Sequence, residues 1–189
     1  MAPPFSVAEM TEVLAGKDAT DAEKALLHRQ IRNFHKKGFL SAISVRDDRG
    51  TAEFDTEALY KIRVLSALVG AGFDADSGVF RASVRAMSEH PIGSLPAPSQ
   101  IQDGYFESLG GLRNAIRGNE FGEEWRLSFA YQSPYSHGTR KYDALFHLAG
   151  DPHAVFGQMA GLLYEFEFSG SFKLNDIFAG LPLLAAASA

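Results

Sequence analysis

The chain has 189 residues, no cysteine and a formal net charge of −5, with 46% hydrophobic and 22% charged residues. That length can bury one sizeable core or two small ones, and the lack of cysteine excludes disulfides, thiolate metal centres and cysteine nucleophiles. No run is long and apolar enough to span a bilayer, and Met1-Ala2-Pro3-Pro4 has neither the basic nor the apolar region of a secretory leader, so a cytoplasmic protein without membrane contact is expected.

The first predicted element is a helix from Ser6 to Leu14, with Ser6 as N-cap and Glu9 three residues on as its capping-box partner. Asp18 to Asp21 offers the next cap and opens a helix from about Asp21 to Lys37. In its last turns Ile31 and Phe34 are placed to face a core, while Arg32, His35, Lys36 and Lys37 face outward, and Gly38 supplies a left-handed stop. Leu40 to Val45 has the composition of a strand, Asp47-Asp48-Arg49-Gly50 that of a turn, and Thr51 to Phe54 returns as a second strand, so a hairpin follows the basic helix. Asp55 or Thr56 then caps a helix with Leu59, Ile62, Val64, Leu65 and Leu68 giving helical periodicity up to Gly70, and Gly72-Phe73 closes it.

The order of "IRNFHKKGFL", the hairpin "RDDRGTAEF" and the helix "TEALYKIRVLSALVGAGF" resembles the DNA-binding head of the MerR family of winged-helix regulators, over roughly Ser6 to Phe73. In that family an Arg-Tyr-Tyr-like triplet and a Gly-Leu-Leu-like stop precede an arginine-bearing wing. This chain departs from the pattern in three places: Asn33-Phe34 replaces the aromatic pair, Gly50-Thr51-Ala52 replaces the wing's Gly-Tyr-Arg, and "GKDATDAEKALL" lengthens a normally short turn. The resemblance implies a winged helix-turn-helix fold and contact with double-stranded DNA through helix two and the wing.

Charge supports the same division. Between His28 and Arg49 six Lys or Arg face two Asp, whereas from Pro91 to Ala189 there are six Lys or Arg against ten Asp or Glu, so a basic head precedes an acidic body. The predicted DNA-contacting residues are Arg29 and Arg32 toward the major groove, His35, Lys36 and Lys37 beside them with the lysines on phosphates, and Arg46 and Arg49 on the wing. A solvated helix face, with cations favourable to the helix dipole, is the plainer reading of the same residues.

Ser77 to Glu89 has helical spacing and is placed with the head. Pro91 to Ser99 holds the densest proline cluster, so the expected division is a winged-helix domain over 1–90, a linker over 91–99 and a dimerising or sensing domain over 100–189. In the second part Ser99 to Ile116 reads as a helix interrupted by Gly110-Gly111. Trp125 to Tyr131, Tyr142 to Leu148 and Tyr164 to Phe172 read as strands, with a helix near Pro152 to Leu163. An α+β protein follows: an N-terminal winged helix-turn-helix, then a small aromatic-rich α+β domain.

The aromatics of the second part, Trp125, Phe129, Tyr131, Tyr135, Tyr142, Phe146, Tyr164, Phe166 and Phe168 with Tyr105 and Phe106, fit either a core or an effector pocket. His137, His147, Asp151 and His153 lack the spacing of a standard metal motif. Ser133, Ser136, His137 and Asp143 are triad residue types without a nucleophile elbow. No catalytic residue, metal or cofactor is expected. The residues point to a sequence-specific DNA-binding transcriptional regulator of bacterial or phage type, acting as a homodimer, with a small-molecule or protein effector as the further partner considered for the second domain. The alternative is a protein-interaction module, an antitoxin or adaptor, that uses the same fold and the aromatic body to hold a protein partner.

Overall fold

A computed structural model describes residues 4–47, 50–89, 101–102, 105–106, 110–134, 141–150 and 164–182. Helices and antiparallel sheets mix along these segments, as an α+β chain requires. Compactness divides the chain into two units, Met1–Arg63 with Gly180–Ala189, and Val64–Ala179. The division falls inside a helix, and the proline-rich 91–99 segment lies outside the described residues.

The first unit begins with α1 (Val7–Ala15) and α2 (Asp21–Lys36), each opened by a reciprocal capping box: Ser6 with Glu9 and Thr20 with Glu23. Two orphan N–H groups are satisfied at each start, which makes the helix boundaries legible in sequence. Met10 and Leu14 of α1 meet the same core as Ile31 and Phe34 of α2, all nearly or fully buried. Gly38 takes φ 78° just past α2, a conformation that costs a residue with a Cβ. The chain then forms a hairpin, β1 (Ser44–Val45) with β2 (Ala52–Glu53), and Phe5 adds a bridge on the outer side of β2 by exchanging two 2.8 Å hydrogen bonds with Phe54. The helix α3 (Thr56–Gly70) starts here, with Leu59, Tyr60 and Ile62 buried. Arg63 donates to the Leu14 carbonyl at 2.9 Å, satisfying a C-terminal carbonyl of α1, and the Tyr60 hydroxyl donates to the Pro182 carbonyl at 2.7 Å. That last tie returns the chain end to the first unit, a link no local pattern announced.

The second unit is built on a three-stranded sheet in the order β6-β5-β7, with β5 (Trp125–Pro134) between β6 (Lys141–Leu148) and β7 (Tyr164–Lys173). Trp125, Leu127 and Phe129 alternate onto one buried face, opposite Phe146 and Ala144 of β6. The helix α4 (Gly78–Ala86) packs on β5 and β6, and α5 (Gly111–Glu120) lies against the same strands. A Cβ at Gly78 would overlap the Tyr142 ring, so the absent side chain lets α4 sit directly on that aromatic. The helix expected to complete the head therefore belongs to the sheet. A short helix α6 (Leu174–Phe178) follows β7 directly and buries Leu174 and Phe178.

One more expectation is corrected. Ser99 to Ile116 is not an interrupted helix: Ile101–Gln102 (β3) pairs with Tyr105–Phe106 (β4), and Gly110 at φ 84° starts α5. Gly111 must lack a side chain because a Cβ would press the Ala86 carbonyl and the Phe146 ring. Of the aromatics, Trp125, Phe129 and Phe146 are buried in the core, Phe129 lies 5.1 Å from Phe73 and 5.6 Å from Phe172, and Tyr131 stacks on the exposed Tyr142 at 4.7 Å. The helix expected near 152–163, and with it Asp151 and His153, lies outside the described residues, as does His137. No helix among the described residues is long and apolar enough to cross a membrane.

Candidate nucleic-acid interface

The outer face of α2 is where the basic residues gather. Arg29, Arg32 and Lys36 recur at i, i+3 and i+7, one face of a helix, and all three are exposed. None of the three forms an ion pair or hydrogen bond through its side chain among the described residues. Lys36 lies in the last turn of α2, where a cation also meets the negative end of the helix dipole. Lys37 is the exposed C-cap, its backbone N–H donating to the Asn33 carbonyl at 2.9 Å.

His35 points the other way. Its ring is half-buried, Nδ1 lies 2.9 Å from the Leu40 carbonyl, and the ring meets Phe54 edge-on at 5.1 Å. Nδ1 must carry the proton to make that bond, which ties the end of α2 to the segment leading into the hairpin. The sequence pattern placed His35 outward with its cationic neighbours; the structure makes it part of the joint between helix and hairpin.

Arg46 has a third environment. Its Nε donates to Glu53 at 2.6 Å across the hairpin, and its two terminal nitrogens reach Glu9 at 3.1 and 3.3 Å. Glu53 also accepts from the Ser44 hydroxyl at 2.6 Å, and its carboxyl is held below the ordinary range by that bond and by Arg46. Glu9 is held lower still, from 4.5 to about 2, first by hydrogen bonds from Ser6, backbone and hydroxyl, and then by Arg46. The capping box of α1 and the hairpin thus share one guanidinium. With two carboxylates on it, Arg46 adds little net positive charge to the hairpin. At the tip, Asp47 accepts from the Thr51 N–H and hydroxyl, both at 3.1 Å, and Gly50 takes φ 74°. Arg49 lies outside the described residues.

Beside this face an open groove of about 880 Å³ runs along α1 and α2, lined by Pro4, Phe5, Ala8, Val13 and Ala25, with Glu9, Glu12, Lys24, His28 and Arg46 completing its wall. Its charged residues are paired, Lys24 with Glu12 at 2.6 Å and Arg46 with Glu9.

In the second unit, Ser128 of β5 and His147 of β6 are joined at 2.8 Å through Nε2, while His147 Nδ1 bonds the Leu148 carbonyl at 2.9 Å. The tautomer would suit a base activating a hydroxyl. Yet Ser128 sits in the central strand, where ladder bonds on both sides consume the neighbouring backbone N–H groups that an oxyanion would need. The pair acts as a clasp between strands. Arg126 beside it is neutralised by Glu124 at 2.8 Å, and Glu124 is held below its ordinary value first by Arg126 and then by Lys173.

Comparison with family models, with curated proteins and with solved structures found no match.

Proposed function

We propose that this chain binds double-stranded DNA as a sequence-specific transcriptional regulator, with α1 and α2 as a helix-turn-helix and the β1–β2 hairpin as its wing. The observation that carries the reading is the exposed row Arg29, Arg32 and Lys36 on one face of α2, three cations without a counter-charge among the described residues. Such a row loses little by leaving water for phosphate, because the energy comes from released counterions rather than from broken ion pairs. The element order and the resemblance to the MerR head point the same way. Arg46 enters as the brace that fixes the hairpin against α1, and α2 supplies the contacts. Action as a homodimer follows from the modest affinity of one small head, since two heads read two half-sites.

The test is the affinity of the full chain for random duplex DNA at two salt concentrations. A steep loss of affinity with salt is expected; weak binding that ignores salt would refute the reading. The second reading, a protein-interaction module of antitoxin or adaptor type, draws on the groove along α1 and α2, whose apolar floor suits a protein side chain better than a phosphate.

A further inference from the structure

Asn33 is an exposed polar residue of α2 to which neither capping nor charge gives a role. It lies four residues beyond Arg29 and three before Lys36, at the edge of the cationic row beside Arg29. Its side-chain amide has no hydrogen-bond partner among the described residues. Asn33 begins the last turn of α2, and asparagine is a poor occupant of a solvent-facing helical position, because its short amide competes for backbone groups and alanine there would favour the helix. Position 33 therefore holds a residue that local structure does not call for.

The amide carries an acceptor and a donor side by side, the complement of the donor and acceptor that adenine shows in the major groove. Arg29, one turn earlier on the same face, carries the fork that matches the two acceptors of guanine. Four residues of helix span about 6 Å, close to two steps of a duplex that rises about 3.4 Å per base pair. The start of α2 is less suited to this role, since Asp21 and Glu23 would meet phosphates there with like charge.

Resting on the DNA-binding reading above, we infer that Arg29 and Asn33 are the base-reading pair of α2, Arg29 selecting a guanine and Asn33 an adenine about two base pairs away. Lys36, at the end of the helix, contacts phosphate and carries no sequence information.

The experiment selects bound sequences from a randomised duplex library with the full chain, with Asn33→Ala and with Lys36→Ala, and adds a salt titration and a thermal melt of each. Asn33→Ala is expected to lose about tenfold of its discrimination for adenine at one position, to keep the wild-type salt slope, and to melt no lower than wild type. Lys36→Ala is expected to weaken all sequences alike and to flatten the salt slope. An Asn33→Ala protein with the wild-type preference overturns the inference and leaves DNA binding standing. Wild-type protein that binds duplexes without selecting any sequence overturns the inference and the sequence specificity of the reading above, and leaves only duplex binding standing. A wild-type protein that binds no duplex at low salt overturns the DNA-binding reading itself.

Discussion

The outer face of α2 and the base of the hairpin draw their arginines from one short stretch of sequence, and the two places treat them differently. On α2 the side chains at 29, 32 and 36 have neighbours of their own sign or none, so their charge is offered to solvent. On the hairpin, Arg46 is also exposed but faces Glu53 across the strands and Glu9 at the start of α1, so its charge is balanced by carboxylates of the same chain. Counting basic residues along a segment overstates the charge available to a partner wherever a fold brings carboxylates from distant positions. Glu9 lies thirty-seven positions from Arg46, and nothing local foretells that meeting.

The largest effect should come from the α2 face. Arg32→Ala with Lys36→Ala is expected to weaken binding to duplex DNA at least about tenfold and to reduce the salt slope by roughly two, while the thermal melt stays near wild type. Unchanged affinity and slope in a titration at two salt concentrations would remove the distinction between the two regions.

His35 sharpens the comparison within α2 itself, because it neighbours Lys36 and yet faces inward. His35→Ala strands the Leu40 carbonyl and opens a gap against Phe54, and should cost about 1–2 kcal/mol of stability. Chemical denaturation measures this, and a salt slope for DNA equal to that of wild type should accompany it. A variant as stable as wild type but weaker on DNA would return His35 to the cationic face.

Arg46→Ala probes the hairpin. The melting temperature should fall by a few degrees as two carboxylates lose their shared partner, and DNA affinity should change by less than about threefold. The reverse pattern, a normal melt with strongly reduced affinity, would mean that Arg46 leaves its carboxylates to reach the duplex.

The smallest effect concerns acid. Glu9 sits at about 2 in the fold against an ordinary 4.5, a depressed value, so its stabilisation is complete above about pH 4.5 and is lost as the pH falls toward 2. The gap in melting temperature between wild type and Glu9→Gln should therefore be widest near neutrality and close across that window. A gap that stays constant from pH 5 to pH 2.5 would show that the Ser6 and Arg46 contacts do not act through the charge of Glu9.

The sequence by itself determined the elements whose signals are local. Ser6 with Glu9 marks the start of α1 because a cap needs only residues three apart, Asp18 to Asp21 brackets the cap that the structure places at Thr20, and Asp47 to Gly50 marks a turn from equally local residues. The strands Trp125 to Tyr131 and Tyr142 to Leu148 showed in their alternation, since one face of a sheet is buried. Tertiary structure alone decided what depends on residues far apart in the chain. It assigned α4 to the sheet through the close approach of Gly78 to Tyr142, and tied Tyr60 to Pro182. It also separated the roles of like residues: Arg32 and Lys36 exposed without a counter-charge, His35 turned into the joint by the Leu40 carbonyl and Phe54, and Arg46 paired with Glu9 and Glu53. A side chain's type sets which partners it can take; the fold sets which of them come within reach.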